Sequence, residues 1–348
     1  MASLSLSHLH LDPTPLGSVP TSDDPSRPQF ERELVDEALS LLDSELWTEK
    51  KQHHKGIVET TSLPVDKVRY KTETGGTETK SPTGQPDGEG IAWHKRTSDL
   101  SVSEYGGYDE WFAAMGDRHT EQEQEYVDSL VDLIDIGKDE GKEGCFLKLY
   151  KLPFGATDRS FMCHTLVVKP KGGKDDKKGD GGDNDHDNAS DNESLSELSS
   201  KAGSRSFLTF SLPITTPSPH PSEKKYVRGT TVTVERIMEV DDGKTIRWIC
   251  ASLSTPGGSI PVKLGESKMA ASLADAVPPI LSWMKKAHPP GSGLSTRGAG
   301  GPADMEAASK KAPVAARTTR GTSSAMGIMP QGRFTLEMFQ RPVQLREY

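Results

Sequence analysis

The residues of this chain that look most ready for chemistry are the aspartates of an acidic stretch, because Asp183, Asp185, Asp187 and Asp191 stand at the first, third, fifth and ninth positions of a calcium-binding loop. The match fails where the geometry of the ion is decided. The sixth position is Asn188 instead of the glycine that allows the sharp turn, and the twelfth is Ser194 instead of a glutamate that chelates with both oxygens. Ser190 and Ser194, followed at the third residue by Glu193 and Glu197, suit an acid-directed kinase instead, and phosphates there would deepen the negative charge. Asn188-Ala189-Ser190 and Asn192-Glu193-Ser194 have the form of glycosylation sequons in a chain that otherwise reads as cytoplasmic.

Other reactive groups are sparse. The sequence has no GxSxG, no HExxH and no glycine-rich phosphate loop, and its histidines stand apart except for His8/His10 and His53-His54, which fall in stretches read as loops. Neighbouring histidines alone do not make a metal site. Neither a catalytic residue nor a metal or cofactor is therefore expected, and the chain reads as a non-enzyme. Cys145, Cys163 and Cys250 form no CxxC pair and lie in strand-like runs, as buried thiols in a reducing compartment would. Two arginines interrupt otherwise apolar strand faces. Arg236 shares a face with Val232, Val234, Met238 and Ile249, and Arg159 opens the strand that carries Phe161, Cys163, Thr165 and Val167. A buried guanidinium needs a partner, so each pairs with an acid, extends to the rim, or meets the polar end of a ligand.

The elements that position these residues centre on Tyr226 to Ala287. From Gly229 to Val240 apolar and polar residues alternate, Asp241-Asp242-Gly243-Lys244 is a hairpin turn, and a second strand runs from Thr245 to Ser254. A two- or four-residue loop here pairs Val240 with Thr245, Met238 with Arg247, Arg236 with Ile249, Val234 with Ala251 and Val232 with Leu253, whereas a three-residue loop would flip one strand and mix the faces; the apolar pattern favours the first. Val232, Val234, Met238, Val240, Ile249, Ala251 and Leu253 then share one face, read as the inner one. Thr233, Glu235, Glu239, Cys250, Ser252, Ile237 and Trp248 share the other. A helical pattern begins near Lys268 and carries Met269, Leu273, Val277, Ile280 and Leu281. Pro278-Pro279 kinks that helix or restarts it with Asp275 as cap.

Upstream, residues 1–28 read as a disordered leader with neither the basic start nor the apolar run of a secretory signal. Phe30, Leu34, Val35, Ala38, Leu41 and Leu42 form the stripe of an amphipathic helix capped at Ser26. Its polar side carries more acid than base, so it is expected to cover a sheet and not a membrane. Strands are expected at Ile91 to Thr97, Cys145 to Leu152, Ser160 to Lys169 and Phe207 to Ile214. Residues Tyr108, Trp111, Phe112 and Met115 mark a buried helix, and Thr120 to Glu123 a capping box opening another. Residues 170–205 and 288–348 are too rich in Gly, Ser, Asp or Pro to bury a core and read as a disordered acidic insertion and a disordered basic tail. The net charge is −9, of which Asp175 to Glu197 supplies −7 (nine acids against Lys177 and Lys178), leaving −2. No nucleic-acid surface is implied. No apolar run reaches the ~20 residues of a membrane-spanning helix.

The segments Val232 to Arg236, Arg247 to Ser252, Gly257 to Pro261, Ala276 to Pro278 and Leu281 to Met284, with Trp93 to Ser98 and Asp158 to Phe161, resemble an uncharacterised fungal branch of the START-like lipid-transfer superfamily. The resemblance covers residues 29–287. It implies an α+β helix-grip fold, a curved antiparallel β-sheet closed by a C-terminal helix over a hydrophobic cavity. It also implies a lipid or other hydrophobic small molecule as partner, with peripheral membrane contact open. The expected cavity lining is Arg159, Phe161, Val232, Val234, Arg236, Met238, Ile249, Ala251, Leu253, Met269, Leu273, Val277 and Leu281. An adaptor working through the acidic insertion and basic tail, whose apolar end from Arg333 to Tyr348 could dock a protein partner, is the alternative. A cyclase- or hydrolase-like enzyme is the weaker one, and it would need facing acid and base groups in the cavity.

Overall fold

The computed structural model describes residues 3–71, 77–78, 91–116, 119–137, 144–152, 157–169, 205–258 and 260–287. The acidic insertion up to residue 204, the basic tail of 288–348 and the segment Pro153-Phe154-Gly155, which the sequence suggests as a turn between two strands, lie outside the described residues. In chain order the strands are β1 (Leu4–Leu6), β2 (Thr14–Pro15), β3 (Thr48–His53), β4 (Val58–Pro64), β5 (Val68–Lys71), β6 (Thr77–Glu78), β7 (Ala92–Ser101), β8 (Leu130–Asp135), β9 (Cys145–Tyr150), β10 (Arg159–Val168), β11 (Ser206–Thr215), β12 (Val227–Arg228), β13 (Thr230–Val240) and β14 (Thr245–Thr255). The helices are α1 (Arg27–Leu42), α2 (Val102–Tyr105), α3 (Tyr108–Met115), α4 (His119–Tyr126), α5 (Val262–Asp275) and α6 (Val277–Ala287).

The main sheet runs β3-β4-β7-β14-β13-β11-β10-β9-β8, antiparallel at every step, with β12 and β2 added in parallel to β10 and β11. It does not close into a barrel. Helices α5 and α6 at the C-terminal side of the sheet complete the helix-grip arrangement. The central hairpin has the register the turn dictates, with Val240 opposite Thr245, Arg236 opposite Ile249 and Val232 opposite Leu253. Asp241, Asp242 and Gly243 take φ of 54°, 55° and 76°, the left-handed backbone that aspartate tolerates and glycine adopts freely.

Both faces of the sheet are covered, which inverts one expectation. Val232, Val234, Ile249, Ala251 and Leu253 pack against Leu34, Val35, Ala38 and Leu41 of α1 in one continuous core. The strand face read as inner is therefore the seat of α1. The reason is physical: an evenly apolar strand face is what a close-packed helix stripe needs. The end of α1 is held by the sheet, since Trp47 Nε1 donates to Leu41 O at 2.8 Å and Lys95 Nζ to Leu42 O at 2.8 Å. These bonds satisfy carbonyls that every helix terminus leaves free.

The first part of the leader, expected without structure, also enters this core, while Leu16 and Val19 are buried in a separate cluster with Cys145 and Leu147. Leu6, Leu9 and Leu11 are buried in the α1 core. The Glu37 carboxylate on α1 accepts from the amides of Ser7 (2.6 Å), His8 (3.0 Å) and Leu9 (3.2 Å). Leu4/Leu6 and Leu9/Leu11 alternate with serine and histidine, but over two short runs that are out of phase with one another, and the tertiary partner is what reveals their burial.

On the opposite face, α3 and α6 build a second core. Trp111 packs at 5.2 Å from Trp248, with Phe207, Ile237, Ile246, Val277, Ile280, Leu281 and Met284 around them. The paired prolines do restart the helix. The break falls at Ala276, and Pro278 and Pro279 occupy the first turn of α6, where a missing amide costs nothing. Asp275 ends α5 and meets His54 Nε2 at 3.0 Å instead of capping α6.

Candidate functional site

The face of the sheet opposite α1 is not uniformly apolar. Register brings Arg96 of β7, Cys250 of β14 and Glu235 of β13 into one row across three strands, and Thr209 of β11 extends it. The next row holds His94, Ser252, Thr233 and Ser211. Where α3 and α6 stop covering this face, a cavity of about 210 Å³ remains. Its floor is formed by Arg96, Cys250, Glu235, Ser252, Thr233 and Ser211 of these rows with Phe161 and Cys163 of β10 and Lys148 and Tyr150 of β9. Its roof is Met269, Leu273 and Ile280 of α5 and α6, and one wall is His119, Glu123 and Tyr126 of α4.

The charged groups of the floor are tied together. Glu235 Oε2 accepts from Trp248 Nε1 at 2.6 Å and from Arg96 Nη2 at 3.3 Å, and the Arg96 guanidinium lies 3.7 Å over the Trp248 ring. Glu123 takes an ion pair from Lys148 and a hydrogen bond from Tyr150 Oη at 3.1 Å. Tyr126 Oη and His119 Nδ1 are 3.2 Å apart, and His119 Nε2 stands 3.9 Å from Glu235 Oε1. Near the roof, His94 Nε2 and Glu266 Oε2 meet at 2.9 Å and tie β7 to α5.

Burial sets the protonation states. It pushes the His119 imidazole down, against the pull of Glu235 and Glu123, so the ring is neutral at neutral pH. Burial and the neighbouring carboxylates push Tyr126 and Tyr150 well above the usual phenol range. Burial drives Cys250 up to about 12, which keeps it an inert thiol. For Lys148 and Glu123, burial opposes the charged forms but their mutual attraction prevails, raising the amine and lowering the carboxyl. Arg96 is 3% exposed, and its Nε and Nη1 have no hydrogen-bond partner among the described residues. Among the described residues no group of three or more histidines, cysteines or acids is placed to hold a metal ion.

Of the residues expected to line a cavity, Phe161, Met269 and Leu273 do so. Val277 and Leu281 lie beside it in the α3–α6 core. Val232, Val234, Ile249, Ala251 and Leu253 face α1, on the other side of the sheet, because their even apolarity fits a helix stripe. Met238 is half-buried at the end of that same face. Arg236 resolves its three alternatives in favour of an acid: Nη1 is 3.5 Å from Asp43 Oδ2 at the end of α1, and burial lowers its pKa against that pairing. Arg159 is buried at the start of β10, where Nη1 donates to the carbonyls of Thr157 and Asp158.

Sequence reasoning missed Arg96, His119, Glu123, Tyr126, Lys148 and Glu235. A signal was present in the hairpin register, which set Glu235 beside Cys250, Ile237 and Trp248. An acid on a strand face that also carries a tryptophan is costly to bury and asks for a cation. The Thr120–Glu123 box does not form, because Thr120 lies inside α4 with its hydroxyl unpartnered and Glu123 turns to Lys148. The three cysteines are buried in β9, β10 and β14 and form no disulfide among the described residues. Among the described residues no helix is long and apolar enough to cross a membrane.

Solved structures similar to this chain include human STARD10 (12% identity, TM-score 0.45, 78% of this chain and 87% of that one). Human StAR-related lipid transfer protein 5 is another (10% identity, TM-score 0.43, 75% and 96%). A third is a STAR-related lipid transfer protein from Xanthomonas axonopodis (11% identity, TM-score 0.40, 69% and 99%). No curated protein matches the chain. A family profile does match, over residues 93–284, from β7 with its Arg96 to the end of α6, and by that match the chain belongs to the family described as protein of unknown function (DUF3074).

Proposed function

We propose that the chain binds one hydrophobic small molecule in the cavity between the sheet and α5–α6, with the polar end of that molecule seated on Arg96. The observation that carries this reading is the Arg96 side chain. The Arg96 guanidinium stands in the wall of a largely apolar cavity with Nε and Nη1 buried and unpartnered among the described residues, and a ligand oxygen would satisfy them after a small shift of the side chains that cover them. Phe161, Met269 and Leu273 would contact its apolar body. Size narrows the choice. An apolar cavity of about 150 Å³ takes benzene and drug-sized ligands use roughly 300–1,000 Å³, so the 210 Å³ here suits a compact molecule or one short chain. Protein purified gently and sprayed intact in a native mass spectrometer should carry a small adduct. Leu273→Trp, which fills the roof, should lose it. A wild-type chain that emerges empty and fails to take up a solvatochromic dye would sink the reading.

Carriage without catalysis agrees with the way Glu123, Glu235 and Lys148 are each committed to a partner of opposite charge. The facing polar groups that an enzyme would need are nevertheless there, and His119 favours that second reading, since its Nε2 is 3.9 Å from the nearest carboxylate oxygen and its neutral ring could accept a proton. Chemical conversion of a bound ligand by wild type and not by His119→Gln would replace the carrier with an enzyme.

A further inference from the structure

We infer that the outer side of β8 is a docking edge for the chain's own C-terminal run, residues 333–341, which adds to the main sheet as one more strand. The sheet ends at β3 on one side and at β8 on the other, and the two edges are built differently. β3 is exposed along nearly its whole length, carries Glu49, Lys50, Lys51 and Gln52, and is broken by a register shift at Glu49, whose φ is 57°. Charges and a bulge protect a strand edge from pairing. β8 has its register shift upstream, at Val131, and beyond it is apolar between its acids. Val131 is 48% exposed, and Leu133, Ile134 and Ile136 are half-buried. Ile134 and Ile136 pack on the rim of the cluster of Leu16, Val19, Cys145, Leu147, Leu149 and Met162, so among the described residues this small core stops at β8 with its flank open. Ile136 N donates to Cys145 O at 2.9 Å, and the alternation of an antiparallel ladder then turns the backbone groups of Leu133 and Asp135 away from β9. Leu133 N donates to the neighbouring Asp132 Oδ1 at 2.9 Å, a contact that the carbonyl of an added strand would replace. Among the described residues no strand pairs with this side.

Charge and sequence choose the occupant. Asp128, Asp132 and Asp135 are exposed, and residues 127–137 contain no lysine or arginine. Two copies of β8 side by side would set these acids against each other, and like charges directly opposite are destabilising. The strand that fits is basic and alternating. Outside the described residues the chain offers one such run, from Arg333 to Arg341, closed by Pro342, which cannot continue a ladder. Phe334, Leu336 and Met338 share one face of it, the apolar face that Ile134 and Ile136 need beside them. Arg333 and Arg341, against the single Glu337, bring the opposite charge to the acids of β8. Reach is no obstacle. The tail leaves from Ala287 at the end of α6, and α4 touches both β8 and α6, where Trp283 Nε1 donates to Glu125 Oε2 at 2.9 Å. Root and edge are one helix apart, whereas a tether as long as residues 288–332 spans about 35–40 Å. Tethering supplies an effective concentration of about 1 mM, so a strand that binds at about 0.1 mM as a separate peptide is closed by about ten to one within the chain.

Hydrogen–deuterium exchange tests this by comparing the full chain with one that ends at Gly332, the amides of β13 and β14 serving as the reference for intact folding. The β8 amides should exchange about tenfold more slowly in the full chain, at a rate independent of protein concentration. Leu336→Pro removes a ladder donor from the middle of the run and lies outside the sheet and helices described above, so the full chain carrying it should exchange at β8 as the shortened one does. Equal exchange at β8 in the full and shortened chains overturns the proposal. Protection that survives Leu336→Pro overturns it too, because the tail would then cover β8 in some form other than a strand. Protection that rises with protein concentration, together with a dimer mass by light scattering, assigns the edge to a second copy and equally removes the chain's own tail as its occupant.

Discussion

Arg96 and Glu235 stand on strands that are not neighbours, one on either side of β14, and their side chains meet over Cys250 with Nη2 and Oε2 3.3 Å apart. The indole of Trp248 joins them from the same central strand. Removing the cation leaves a buried carboxylate with one neutral donor, so Arg96→Met should destabilise the fold by roughly 3–5 kcal/mol, read by urea unfolding. Arg96→Met combined with Glu235→Gln should recover most of that loss. A double variant no better than the single would mean that the pair is not energetically coupled.

Glu123 and Lys148 form a second such pair, between α4 and β9. Lys148→Met alone should cost a similar ~3–5 kcal/mol, since Glu123 keeps only Tyr150 as donor. Adding Glu123→Gln should again restore stability, and the cycle of four denaturation curves measures the coupling directly.

His119 gives a pH dependence of defined sign. Burial holds its folded pKa below the ordinary 6.5, so over the interval between the two values the unfolded chain binds more protons than the folded one. Stability is therefore intact above about pH 6.5 and falls as the solution is acidified below it. The slope of unfolding free energy between neutral and mildly acidic pH should be shallower in His119→Gln. Equal slopes in both proteins would show that the imidazole takes its proton without unfolding anything.

At the other face, Arg236 is buried, but Asp43 is 64% exposed, so solvent screens their 3.5 Å contact. Asp43→Asn should cost only about 1 kcal/mol or less. Arg236→Met, which extends the apolar face of Val234 and Ile249, should be neutral or stabilising in thermal melts.

Gly257 has φ of 65°, and a Cβ there would stand 2.0 Å from the carbonyl oxygen of Arg228. Gly257→Ala should lower stability by at least roughly 1–3 kcal/mol. Melting of that variant at the wild-type temperature would show that the turn leading into α5 can rearrange freely.

How far the fold was legible depended on whether a residue's partner was near it in sequence. The β13–β14 register and the α1 stripe are as turn chemistry and period have them, and of the two outcomes open at Pro278-Pro279 the helix restarts, but the expected caps do not form: Asp275 lies inside α5, and Ser26 makes no side-chain capping bond to α1. The leading leucines alternate with serine or histidine over runs too short to read as a strand, and their burial depends on Glu37 and α1. Strands β3 and β4 were equally silent in the pattern. The candidate site was legible only as two sets of residues on opposite strand faces. Choosing between them required knowing that α1 seals the apolar set. That is a tertiary fact, and without it the evenly hydrophobic face is the natural guess for a ligand cavity.

The sandwiching of the sheet, with α1 on one side and α5–α6 on the other, has a bearing on how the protein can change over time. The side chains that would meet a ligand hang from the same strands as those that anchor α1, but they point into a separate compartment. Substitutions among Thr231, Thr233, Ser252 and Ser254 can therefore change the lining of the cavity while the opposite compartment keeps the strands in register. One backbone thus serves two independent inventories of side chains, and selection can rewrite one without touching the other.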